Sequence, residues 1–241
     1  MQITYRQSPN HNKGRQGHVP DFIVMHTTGA SKQSAFHTIM NRANAVSYHF
    51  VISSCGQISQ FVDIADTAWA TGTTTDGGSR DPRHSTHSVI RGRRANANLY
   101  TVNIGFGDMN VNGWKLTEAQ LNSTAWLVKH VQGRIKALYG LCLPLNRERV
   151  IGHNEVVPRH RPNCPGQRFQ WDALMSRLDE CENEVGEMRY NTIAEIPEWA
   201  RPTIQKLVER GILQGDGQGL DLSLDMVRML VIIDRAGQFG S

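Results

Sequence analysis

Two histidines and a cysteine define the chemistry open to this chain. His26 ends the apolar, β-branched run Phe22-Ile23-Val24-Met25, and His153 follows Val150-Ile151-Gly152. Cys164 lies in the turn-forming segment Asn163-Cys164-Pro165-Gly166. Two imidazoles and a thiolate suit a borderline-soft cation such as zinc. Three protein ligands leave one tetrahedral position for water, and a zinc-bound water ionises near pH ~7. Spacing alone does not settle the matter. A histidine at a strand end is more often structural, and a cysteine before Pro-Gly is usually part of a turn.

The elements that would carry these residues can be traced along the chain. Residues 1–20 are polar and read as an irregular lead-in, followed by a strand over 22–26. Ala35, Phe36, Ile39 and Met40 predict a short helix over 33–43. Alternation around Tyr48, Phe50 and Ile52 predicts a strand over 47–53, and Ser54-Cys55-Gly56-Gln57 a hairpin turn into a strand over 58–62. Residues 71–99 lack periodicity and hold Arg80, Arg83, Arg91, Arg93 and Arg94. They read either as a solvated insertion or as a basic wall of a substrate groove. A strand over 101–107 precedes Thr117-Glu118-Ala119-Gln120, a capping box that starts a helix ending at Tyr139-Gly140. A strand over 149–152 leads to His153, and a helix over 169–181 packs Phe169, Trp171, Leu174 and Leu178.

Composition bounds the remaining possibilities. The 241 residues suffice for one sizeable domain and a small second one. No apolar run reaches the roughly 18 residues that a membrane span needs. Met1-Gln2-Ile3-Thr4-Tyr5-Arg6 has no apolar signal core, so cytoplasmic synthesis without a signal peptide is expected. Free thiols are then the default for Cys55, Cys142, Cys164 and Cys181, with Cys142 read as a buried small apolar residue. Residues 185–241 carry 6 basic and 8 acidic side chains, which leaves 20 and 14 in residues 1–184. The basic larger part fits an anionic polymer. No nucleic-acid fold signature accompanies it, so no nucleic-acid partner is expected.

Four segments occur in this order: His26-Thr27-Thr28-Gly29, Val46-Ser47-Tyr48-His49-Phe50-Val51-Ile52, Gly152-His153-Asn154-Glu155-Val156 and Cys164-Pro165-Gly166. As a set, spread over residues 15–180, this resembles the zinc-dependent N-acetylmuramoyl-L-alanine amidases, which include many phage endolysins and share their fold with peptidoglycan recognition proteins. The resemblance implies an α/β fold, a mixed central β-sheet flanked by helices, in a catalytic domain over 1–182. It implies Zn2+ on His26, His153 and Cys164, and hydrolysis of the amide between N-acetylmuramic acid and L-alanine in bacterial peptidoglycan. It also implies release from the host cytoplasm to act on the cell wall, as a holin permits for many endolysins.

Tyr48 occupies the position of a family tyrosine that assists catalysis in some members. The alternative is an aromatic packing under the site. His49 should point to the opposite face and be structural or support a ligand from behind, not act as a fourth ligand. Ala68-Trp69-Ala70-Thr71-Gly72 resembles the family's Ala-Trp-His-Ala-Gly, so Trp69 either lines the substrate groove or packs in the core. Two departures matter. Where many members carry a lysine two residues before the last ligand, this chain has Pro162, with Arg161 or Arg159 as candidate neighbouring cations and Arg161 the substrate-binding choice. Where many carry a glutamate after Ile-Gly-hydrophobic, it has Gly107, with Asp108 one step on. Glu155 is a candidate substitute carboxylate or a salt-bridge residue.

Residues 182–187 read as a linker, and 188–241 as a small all-α domain for wall binding or self-association. Pro197 starts one helix, with Trp199, Ile204, Leu207 and Val208 on its apolar face, and Gly211 stops it. Ser223 caps a second, with Met226, Met229, Leu230 and Ile233 facing inward, and Gly237 stops it. Gly215-Asp216-Gly217-Gln218-Gly219 joins them as a turn-rich loop. The tail resembles small C-terminal modules of endolysins and, faintly, an S-layer homology repeat. A function from another class stays open: a non-catalytic, zinc-containing peptidoglycan-binding protein. A purely structural zinc site would require a fourth ligand, and none stands out.

Overall fold

In a computed structural model, which describes residues 1–184, 189–215, 217 and 219–239, the chain forms two compact units, Met1–Leu178 and Asp179–Ser241. Residues 185–187 of the expected linker, Asp216 and Gln218 of the expected loop, and the Cys181 side chain lie outside the described part.

The first unit contains, in order, β1 (Ile3–Tyr5), β2 (His11–Asn12), β3 (Phe22–Thr27), α1 (Lys32–Met40), β4 (Phe50–Ile52), β5 (Ile58–Gln60) and β6 (Thr67–Ala68). There follow α2 (Ser88–Gly92), β7 (Thr101–Phe106), α3 (Glu118–Tyr139), β8 (Val150–Gly152) and α4 (His153–Val156), and α5 (Trp171–Glu184) begins here. Six strands form one sheet in the order β1-β5-β4-β7-β3-β8. Only β4 and β5 pair antiparallel, so the sheet is mixed.

The centre of the sheet is covered on both faces, which is why β3 reads as a nearly continuous apolar run, whereas β7 alternates Val102, Ile104 and Phe106 with the buried Thr101, Asn103 and Gly105. Ile23 and Met25 of β3 and Val102, Ile104 and Phe106 of β7 pack with Leu121, Val128, Val131 and Ile135 of α3 and Leu174 and Leu178 of α5. Each such fully buried side chain contributes roughly 1.5–3 kcal/mol of transfer free energy. Phe22 and Val24 face the other way, against Ile90, Ala97, Tyr100, Ile151 and Val156. His26 continues that second alternation. α3 starts at the expected capping box, with the Thr117 hydroxyl accepting from Gln120 N–H and the Gln120 side chain accepting from Thr117 N–H.

Several expectations need correction. The N-terminal lead-in is not irregular: β1 pairs parallel with β5, β2 pairs antiparallel with β6, and Arg15 is buried. Residues 71–99 are not a solvated insertion. They hold α2 and two 3-10 turns, bury Asp81, and pack Ile90 and Ala97 over the second sheet face. Arg83 pairs with Asp81, Arg91 donates to the Ser85 and Thr86 carbonyls, and Arg93 reaches back to Asp21, while Arg80 lines part of a cleft. Cys142 is exposed, because Leu143 takes the inward position beside it.

In the second unit, β9 (Arg189–Tyr190) pairs antiparallel with β10 (Leu222–Ser223) and accompanies α6 (Arg201–Glu209) and α7 (Leu224–Arg235). Its core is Tyr190, Ile196, Ala200, Ile204, Leu207, Leu222, Val227 and Val231. Ser223 caps α7 as expected, its hydroxyl accepting from Met226 N–H. The buried face of α7 is Val227 and Val231, so Met226 and Met229 point outward and Trp199 is half-exposed. The β9–β10 pairing, which fixes how α7 leaves Ser223, was not legible from helical periodicity.

Candidate metal centre

His26 stands near the carboxyl end of β3 and His153 directly after β8. These strands are parallel neighbours with Met25 opposite Gly152, so the next residue of each carries an imidazole. The carboxyl ends of parallel strands are where open α/β sheets place their ligands. The two imidazole centroids are 4.5 Å apart. Cys164 reaches them from the loop after α4, anchored by its carbonyl, which accepts from Asn154 N–H at 2.8 Å. One ligand atom each of His26, His153 and Cys164 lie within 4.8 Å of one another, and all three side chains are buried. Among the described residues no fourth His, Cys, Asp or Glu joins them.

Buried polar groups orient the first candidate ligand. His26 Nε2 donates to Asn103 Oδ1 at 2.9 Å, so Nδ1 is the atom that faces Cys164 Sγ, 3.9 Å away. Asn103 on β7 is itself pinned: its Oδ1 also accepts from the Thr71 hydroxyl, and its Nδ2 donates to the Thr101 hydroxyl at 3.2 Å. Its backbone N–H donates to His49 Nδ1 at 3.0 Å. His49 Nε2 faces the Asp66 carbonyl at 3.2 Å and the buried Arg15 guanidinium at 2.8 Å. His49 is thus structural, as its alternation with Tyr48 suggested.

Burial sets the protonation states. It lowers His26 to about 4, against a hydrogen bond to Asn103 that raises it, and lowers His153 to about 2, with His26 and Arg161 adding to the effect. Burial pushes the Cys164 thiol up to about 11. Neutral imidazoles present the lone pairs a cation needs, whereas the thiol must release its proton on binding one. The donor set, its spread and the locked His26 tautomer fit a tetrahedral divalent ion with an open position.

The cluster lies in a cleft of about 440 Å³ that Tyr48, Ala70, Trp114, His160, Arg161 and Pro162 help to line. The Tyr48 ring is 5.2 Å from His26. Gly105, opposite His26 in the sheet, makes room for it: a Cβ there would come 3.3 Å from the Tyr48 ring. Burial raises the Tyr48 phenol well above its ordinary value, so it stays a proton donor. Trp69 donates from Nε1 to Asn12 Oδ1 at 2.7 Å and lines one extension of the cleft with Arg80, His160 and Arg161.

A profile of the N-acetylmuramoyl-L-alanine amidase family matches residues 16–167, more than half of the chain and all three candidate ligands. The chain belongs to this family. No curated protein matches it. Among solved structures, a selenomethionine derivative of AmpD shares 18% identity at a TM-score of 0.52, covering 73% of this chain and 94% of that one, and shows the fold alone. The amidase LysC from Clostridium intestinale URNW has 17% identity and a TM-score of 0.47, covering 74% and 98%. The PlyG catalytic domain has 14% and 0.48, covering 80% and 100%.

Against the amidase pattern, the two departures have distinct structural settings. Pro162 lines the cleft where a lysine is common, and Arg161 beside it lines the same cleft, while Arg159 turns away to His84 at 2.9 Å. A Cβ on Gly107 would sit 3.2 Å from the Lys32 backbone, which leaves little space for a glutamate. Asp108 does not replace it: its carboxylate accepts from Lys32 N–H and the Ser54 hydroxyl. Glu155 accepts from Gly152 N–H at 2.6 Å and pairs with Arg147 at 2.7 Å, the contacts of the salt-bridge alternative. No sequence pattern marks Asn103, His160 or Trp114 as part of the site, and Thr71 appears only as a member of the Ala68–Gly72 motif. For His160 the one available signal was its place in the dense Pro158-Arg159-His160-Arg161-Pro162 run before Cys164.

Proposed function

We propose that this protein hydrolyses the amide between N-acetylmuramic acid and L-alanine in bacterial peptidoglycan as a zinc enzyme. The observation that carries this reading is the convergence of His26, His153 and Cys164 in one cleft, with no fourth His, Cys, Asp or Glu beside them among the described residues. Zinc in such a three-ligand site supplies a polarised carbonyl and a hydroxide nucleophile near neutral pH. The chain's own residues then have defined tasks. His26 presents Nδ1 because Asn103 holds Nε2–H. Tyr48, kept protonated, donates a hydrogen bond to the oxyanion that forms on the scissile carbonyl. Arg161 offers positive charge to the anionic substrate where the family lysine is missing.

The same reading makes the protein a phage or prophage endolysin, made in the host cytoplasm and acting on the wall after release. Residues 188–241 would serve wall binding or self-association. Among the described residues no helix is long and apolar enough to cross a membrane. The test is digestion of purified walls with and without a chelator, with mass spectrometry of the products. Free stem peptides beginning with L-alanine, lost on chelation and restored by zinc, are expected. Zinc content and wall binding without cleavage would instead mark a non-catalytic peptidoglycan-binding protein.

A further inference from the structure

Cutting an amide requires a proton for the departing nitrogen, and adding water to the carbonyl releases one. In the hydrolase reading above, Tyr48 serves the carbonyl oxygen and no group serves the nitrogen. Beyond the three candidate ligands, the ionisable side chains that line the cleft are Tyr48, His160 and Arg161. The extension past Trp69 adds Arg80. No Asp or Glu lines either part, Asp108 and Glu155 included. A guanidinium does not release a proton in water. Burial keeps the Tyr48 phenol protonated. His160 remains, and it lines both the cleft and its extension.

Backbone and side chain of His160 are both held. It lies in the turn between α4 and Cys164, where the Val157 carbonyl accepts from His160 N–H at 3.0 Å and from Arg161 N–H at 2.9 Å. The Ser79 hydroxyl lies 3.3 Å from His160 Nδ1. Among the described residues none bonds Nε2, which leaves that nitrogen for a ligand. The charged and titratable groups around the ring are Arg161 from its own turn, Arg80 from the loop that carries Ser79, and His153, which lines the same walls. Burial, then Arg161 and Arg80, hold the imidazole below its ordinary value. An imidazole so held is neutral at pH ~7 and ready to accept a proton.

We propose that His160 is the proton-transfer residue of this cleft, its Nε2 taking a proton from the attacking water and passing it to the nitrogen of the scissile amide. This rests on the hydrolase reading above. The water oxygen bonds to the carbonyl carbon, the C–N bond breaks, and its electron pair goes to the nitrogen. The nitrogen leaves as an amine with the proton that water lost, and a carboxylic acid is left behind. His160 returns to its neutral form, so water is the one reactant consumed besides the amide. A group that serves as base and then as acid must sit near its working pH, which a histidine in this setting does and the other cleft residues do not.

The test is a pair of His160 variants of the whole protein, assayed on a soluble muropeptide with zinc content measured alongside. His160→Gln should lower kcat about 100-fold, with KM and zinc content nearly unchanged. In His160→Ala, added imidazole should restore part of the turnover, and the restored rate should rise with the basicity of methylated imidazoles. The same additions should not accelerate the wild type. A histidine that only shapes its turn gives no such rescue. Independently of turnover, the His160 Cε1–H resonance, assigned by its loss in His160→Gln, should titrate with a midpoint below 6.5 and move upward in Arg80→Ala. A ring that does not titrate, zinc lost in step with turnover, or a His160→Ala that imidazole leaves inactive overturns the proposal. If the wild type cuts the amide and His160→Gln cuts it within about threefold, this assignment alone falls. If the wild type cuts no amide, the hydrolase reading falls and takes the assignment with it.

Discussion

Asn103 and His26 sit on adjacent parallel strands, and the 2.9 Å hydrogen bond between their side chains decides which imidazole nitrogen faces Cys164. A ligand histidine is oriented by the partner of its other nitrogen. Asn103→Ala should therefore weaken zinc binding about 10- to 100-fold. Asn103→Asp, which still accepts from Nε2, should retain most of the affinity. Chelator competition measures both. Equal loss in the two variants would reduce Asn103 to packing.

Cys164→Ala should abolish metal retention and hydrolysis together. The sheet keeps its own core of Ile23, Met25, Val102, Ile104 and the α3 side chains, so circular dichroism of the variant should remain native. The wild type should lose Tm on metal removal, because an ion that binds only the folded state stabilises it by mass action. Identical melting with and without chelator would argue against a site built for an ion.

Tyr48→Phe removes a phenol hydroxyl and little volume. Turnover should fall about 100-fold with zinc content and KM nearly unchanged, the signature of a donor used in the transition state. In Arg161→Ala, KM should rise more than kcat falls, since this cation lines the cleft and is not itself one of the three candidate ligands. Elemental analysis and steady-state kinetics on a soluble muropeptide distinguish the two patterns.

Acid should unfold the metal-free protein through its buried histidines. His26 is lowered to about 4, His153 to about 2, and His49 well below its ordinary value of 6.5, beside the Arg15 guanidinium. Unfolded imidazoles take up protons as pH falls through about 6.5, while the folded ones do not. Stability is thus full above pH ~6.5 and declines towards pH ~4, with a slope of up to about 1.4 kcal/mol per pH unit for each histidine. Urea melts at pH 7, 6 and 5 test the sign. In His49→Gln part of that slope should disappear.

Deleting residues 185–241 should leave zinc binding and hydrolysis of soluble muropeptides intact, because Met1–Leu178 holds every candidate ligand and its own core. Lysis of whole cells should weaken, or the oligomeric state should change in sedimentation. The exposed Met226, Met229 and Ile232 on α7 make a surface that such a contact would cover. A truncated protein that no longer binds zinc would move the boundary of the metal-binding unit into the tail.

The sequence alone pointed to the candidate triad His26, His153 and Cys164, its strand-end setting, the capped α3 helix and the family, because each rests on a local pattern. Apolar runs that end in histidine, a Thr-x-x-Gln box and a Cys-Pro-Gly turn keep their meaning wherever the chain folds. The tertiary structure decided what depends on partners distant in sequence. Asn103 reaches across 77 positions to His26, and Gly105 clears space for Tyr48. Asp108 and Glu155, plausible as catalytic carboxylates in one dimension, are consumed by the Lys32 and Gly152 amides and by Arg147. β1 became an edge strand only by finding β5, and Met226 and Met229 turned outward once Val227 and Val231 had been claimed by the core. Trp114 gives no periodic signal, since its place in the cleft comes from a left-handed backbone turn seated against Gly166. Periodicity records which face of an element is buried. Hydrogen-bond partners, loop conformations and the ends of a cleft are fixed only when separate elements meet.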